Sequence, residues 1–77
     1  MKTLFEQMIP EVKELFLADK EKYPNRHEII MKDLETSSFI GDLSVNTAHN
    51  LLEYLDYTNI KPQPDLFLLK LYVIFGK

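Results

Sequence analysis

The sequence has no cysteine, no tryptophan and only two glycines, and its formal net charge is only -3 over 77 residues. Without cysteine there can be no disulfide framework, thiolate zinc site, iron–sulfur cluster or cysteine nucleophile. A reducing, cytoplasmic setting is therefore the expectation. Two glycines are too few for a phosphate-cradling loop or a dinucleotide fingerprint. Ser37, Ser38 and Ser44 have no glycine-flanked elbow, and His27 and His49 fall on different expected elements, so no catalytic triad can be assembled. The chain reads as neither an enzyme nor a cofactor carrier.

Positive charge is also scarce where a nucleic-acid surface would need it. Residues 1–43 set Lys2, Lys13, Lys20, Lys22, Arg26 and Lys32 against nine acids, and residues 44–77 balance three lysines against three acids. No basic patch results, and nucleic acid is not the expected partner. No apolar core follows the first residues, so no signal peptide is expected. The longest apolar run, 66–75, would span only about 15 Å as a helix, half a bilayer core, so no membrane span is expected.

What is present is an ordinary globular composition, 45% hydrophobic and 27% charged, enough for one small folded domain over 1–77. Thr3 and Glu6 have the spacing of a capping box. Leu4, Phe5, Met8, Ile9, Val12, Leu15 and Phe16 then form a helical stripe. Pro10 lacks the N–H that the helix needs, so the helix either kinks there or restarts with Pro10 at its first position; the expectation is a bent helix over about 4–22, closed by Pro24. Asn25 is expected to cap a second helix near 26–36, with Ile29, Ile30, Met31 and Leu34 as its stripe. Phe39 and Ile40 read as a core anchor before Gly41, expected to reverse the chain with positive φ. Ser44 caps a third helix over 45–57 carrying Val45, Ala48, Leu51, Leu52 and Leu55, with Asn59 left-handed beyond its end. Pro62 to Pro64 should be extended, with Asp65 capping a fourth helix. In that last run Lys70 alone interrupts nine apolar residues. A central helix is expected there, with a strand paired across a dimer as the second reading.

Two metal-like patterns weaken on inspection. His27 and Glu28 begin a zinc-protease-like sequence, but Met31 stands where a second imidazole is required, leaving a solvated first turn as the expectation. His49, Glu53 and Asp56 share a helix face, which more simply reads as a solvated polar row. No metal site is expected.

Leu43 to Leu55 places Asn46, Thr47, His49 and Asn50 at the start of a capped helix, and asparagine can pair bidentately with adenine. On those residues, 39–60 resembles the back half of a helix-turn-helix unit, which implies a DNA-binding regulator using helix 45–57. Ser37 and Gly41 stand at usually apolar places, Asp42 replaces the turn glycine, and no Lys or Arg lies between Lys32 and Lys61.

The main expectation is an all-α, four-helix bundle-like domain, with its first helix bent at Pro10 and its C-terminal apolar helix central. Its function is to bind a partner protein and occlude or scaffold it, as a regulator or inhibitor. The residues expected to meet that partner are Tyr54, Tyr57, Phe67, Leu71, Tyr72 and Phe75, since aromatics dominate interface energetics. Self-pairing through 66–75 is a further expectation.

Overall fold

In the computed structural model, residues 2–61 and 66–76 are described. They form five α-helices and no strand: α1 (Leu4–Gln7), α2 (Pro10–Ala18), α3 (Pro24–Thr36), α4 (Val45–Leu55) and α5 (Phe67–Ile74), with a 3-10 turn at Ile40–Asp42. The strand reading of 66–75 is thereby set aside. Pro62, Asp65 and the extended connection expected around them lie outside the described residues.

The capping box at Thr3 and Glu6 forms, but the first helix breaks at Pro10 where a bend was expected. Met8 and Ile9 are extended, with ψ of 139° and 145°. The ring of Pro10 disfavours helical geometry at the residue before it, and Pro10 then opens α2 as its first residue. The stripe survives the break: Leu4, Met8, Val12 and Phe16 are all buried. The helix also ends early, at Ala18, and a turn carries the chain to Tyr23.

Pro24 opens α3 where it was expected to close the helix before. Its N-cap is Tyr23, without a side-chain bond, so Asn25 is not the cap. Ile30 and Leu34 are buried on its inner face, whereas Ile29 is exposed. The backbone N–H of Leu4 donates to the Ser37 carbonyl at 2.8 Å, tying the start of α1 to the end of α3.

Ile40 anchors the 3-10 turn in the core, but Phe39 points outward at 60% exposure. Gly41 does not have positive φ; among the described residues only Gly76 does, at 73°. Ser44 caps α4, accepting from the Thr47 N–H at 3.2 Å. That helix ends on Asp56 in ordinary right-handed geometry, and Asn59 does not have the positive φ expected of it. Ala48, Leu51, Tyr54 and Leu55 point inward and Ile60 packs partly against the same core, while Val45, at the first position, is exposed.

Helix α1 packs on α3, α2 on α4, and α4 on α5. The core runs through Phe16, Leu4, Ile30, Leu34, Leu51, Ile74 and Val12, all fully buried. The C-terminal helix is central over its second half, where Leu71, Ile74 and Phe75 are buried. Its first half, Leu66 to Leu69, remains on the surface. Among the described residues no helix is long and apolar enough to cross a membrane.

Candidate protein-interaction surface

The break between α2 and α3 positions the most concentrated set of interface-type side chains. The Tyr23 N–H donates to the Asp19 carbonyl at 2.8 Å, which folds the turn and turns the Tyr23 ring toward α3. In the first turn of α3, Arg26 has its guanidinium 4.7 Å from the Tyr23 ring centroid and 5.8 Å from that of Tyr54. It donates to the Tyr54 hydroxyl at 3.1 Å and meets Asp19 Oδ2 at 3.5 Å. Both members of that ion pair are partly exposed, so it fixes direction more than it stabilises. Below them the Tyr54 ring meets Phe16 edge-on, with centroids 6.0 Å apart.

These groups line a cleft of about 420 Å³ that also holds Leu15, Lys22, Glu53 and Tyr57. Its formal charges cancel, Arg26 and Lys22 against Asp19 and Glu53. Burial pushes the Tyr54 hydroxyl above its ordinary range, against the pull of Arg26. The bond to Tyr54 in turn holds the guanidinium more firmly protonated. The cleft therefore presents a cation held by two partners beside aromatic walls.

His27 is buried and stacked on Phe16, with centroids 4.3 Å apart and planes 14° from parallel. Its Nδ1 has no hydrogen-bond partner. The solvated first turn expected at this position is thus replaced by a packed imidazole. Beside it, Leu17, Pro24 and Met31 floor a broader groove rimmed by charged side chains.

The six residues expected to contact a partner divide sharply. Tyr57 is 78% exposed and borders the cleft, whereas Tyr54 is 5% exposed and contributes a wall. Phe67 is 43% exposed and does not line the cleft, Tyr72 is half-buried, and Leu71 and Phe75 belong to the core. Their surface is already covered within one copy of the chain. Arg26 was not singled out from the sequence. Its spacing of three from Tyr23 was the one visible signal, because Tyr54 meets it only through tertiary packing.

The residues implied by the helix-turn-helix resemblance do not form one reading edge. Asn46 and His49 are exposed and Asn50 is half-buried. Thr47 is fully buried and bonded to the Ser44 hydroxyl at 2.9 Å. Residues 37–44 separate α3 from α4, twice the three or four residues of the DNA-binding turn. His49 lies 4.9 Å from the Phe67 ring. No group of three or more His, Asp or Glu that could hold a metal ion occurs among the described residues. Comparison with family models, curated proteins and solved structures gives no match, so the chemistry of this surface rests on the chain's own residues.

Proposed function

We propose that this chain is a small acidic protein-interaction module that binds a partner protein and occludes or scaffolds it, with the Tyr23–Arg26–Tyr57 cleft as its partner-binding centre. One observation carries the reading: the sole arginine and three of the four tyrosines converge on one cleft from separate parts of the chain. Tyrosine and arginine are the side chains most enriched where interfaces concentrate their energy. Arg26 is already held by Tyr54 and Asp19, so little further freedom is lost when a partner arrives. The cysteine-free composition supports a cytoplasmic place of action. The alternative, a DNA-binding regulator using 45–57, loses support because Thr47 is buried and the stretch lacks Lys and Arg.

The test is comparative capture from the cell that makes the protein, using the unmodified chain and a Tyr23→Ser/Tyr57→Ser variant. Both tyrosines are substantially exposed, so the variant should keep its circular dichroism and melting. A discrete partner protein retained by the unmodified chain should fall at least about 10-fold with the variant, the effect of removing interface anchors. Equal retention contradicts the reading.

A further inference from the structure

We propose that the chain pairs with a second copy of itself through the exposed start of α5, using residues none of which lines the tyrosine–arginine cleft. Four consecutive large apolar residues stand out from the fold there: Leu66 at 63% exposure, Phe67 at 43%, Leu68 at 51% and Leu69 at 37%. On α4, Val45 is 70% exposed and lies one turn before His49, whose ring meets Phe67. Tyr72 and Val73, one turn after Leu68 and Leu69, are half-buried and continue the band.

A helix that is apolar on all sides is ordinarily surrounded. Here the core takes only the stripe of Leu71, Ile74 and Phe75.

Composition points to the occupant. Residues 66–76 contain one charge, that of Lys70, so the band offers a foreign charged surface almost nothing to pair with. A two-fold contact needs a patch that complements itself, and an apolar patch nearly free of charge does so. Homodimer interfaces are also more apolar than those between independent proteins. Were the exposed parts of Val45 and residues 66–69 wholly covered, at about 200 Å² for each fully exposed side chain, the band would bury at most roughly 500 Å² per copy. Two copies then bury on the order of 1,000 Å², the lower limit for a specific contact. The dimer is accordingly a weak one, forming at micromolar concentration.

Sedimentation equilibrium of the full chain from about 1 to about 300 μM spans the transition expected for a micromolar contact. The mass should rise from 9.1 kDa toward twice that value. Leu68→Asp should weaken pairing at least about 100-fold by placing an unpaired charge in a dry contact, with melting unchanged at concentrations where the chain is monomeric. Val45→Asp, at a still more exposed position, should shift the equilibrium in the same direction should Leu68→Asp fold poorly. Tyr57→Ser should pair like the unmodified chain, which separates this contact from the cleft. A mass that stays at 9.1 kDa throughout, growth beyond a dimer, or pairing untouched by both aspartates overturns the proposal.

Discussion

The backbone N–H of Ile9 donates to the carbonyl of Ile74 at 2.8 Å. Both groups are spare. Ile9 is released from helical bonding by Pro10, and Ile74 is the last residue of α5, whose carbonyl has no partner within its own helix. The break at Pro10 therefore fastens the C-terminal end of α5 to the rest of the fold. At the other end of α5 the N-cap Leu66 makes no side-chain capping bond.

From this asymmetry follows a contrast between two phenylalanines of the same helix. Phe75 is 3% exposed and Phe67 43%. Phe75→Ala should cost about 3 to 5 kcal/mol, whereas Phe67→Ala should cost under about 1.5 kcal/mol at concentrations where the chain is monomeric. Urea melts measure both. Equal losses would contradict the docking of α5 by its second half alone.

The two glycines should behave oppositely. Gly76 ends α5 with φ of 73°, and an added Cβ would sit 3.8 Å from Ile9 Cγ2, an ordinary contact. The cost of Gly76→Ala is then backbone strain alone, about 1 to 2 kcal/mol. Gly41 has ordinary φ and open space around it. Gly41→Ala should be neutral or stabilising by up to about 1 kcal/mol through loss of unfolded-state freedom. Thermal melts that rank the two the other way would contradict the backbone assignment.

His27 is an inefficient core residue. Leaving its Nδ1 buried without a partner costs about 1 to 3 kcal/mol, which offsets or exceeds the about 0.5 to 1.5 kcal/mol that the stack on Phe16 contributes beyond its area. His27→Leu removes both and should leave stability unchanged or raised by about 1 kcal/mol. A loss above about 2 kcal/mol in urea melts would mean that the imidazole has a role beyond packing.

Tyr54 gives the fold a dependence on alkaline pH. Burial raises its hydroxyl above the ordinary value of 10.0, so above that value the folded state holds a proton that the unfolded state releases. Stability from this source is full below about pH 10 and declines as the pH rises past it. Between about pH 9 and about pH 11 the unmodified protein should lose more stability than Tyr54→Phe. Identical losses in paired urea melts would show that Tyr54 does not titrate in this way.

The parts of the fold set by local chemistry were legible in the sequence. Thr3, Glu6 and Ser44 act as caps because capping depends on residues within one turn, and the Leu4–Met8–Val12–Phe16 stripe follows helical spacing. Pro10 was legible as either a kink or a restart, and the bend was the wrong choice of the two. A bend and a break differ in whether a distant acceptor exists for the freed N–H, and that acceptor is Ile74. The expected φ at Gly41 failed for a related reason: the chain turns there through a 3-10 segment that needs no left-handed residue. At the candidate site, Tyr57 was legible as an aromatic expected to meet a partner, although it was read as the last residue of the helix and lies beyond its end. The cleft was not, because Arg26 and Tyr54 are separated by 28 residues and no periodicity connects them. Leu71 and Phe75 looked available for the same reason that Leu68 does; only the packing of α5 on α4 distinguishes them.

The most direct test of the partner-binding role is light-activated crosslinking inside the cell that makes the protein. A photoreactive phenylalanine derivative is placed at Tyr57, beside the cleft, and separately at the exposed Glu35, which lines the groove on a different face. The tyrosine–arginine cleft predicts a discrete adduct with another protein from position 57, absent from position 35 and lost when Arg26→Ala is added. No adduct at position 57, or the same adducts from both positions, would contradict it.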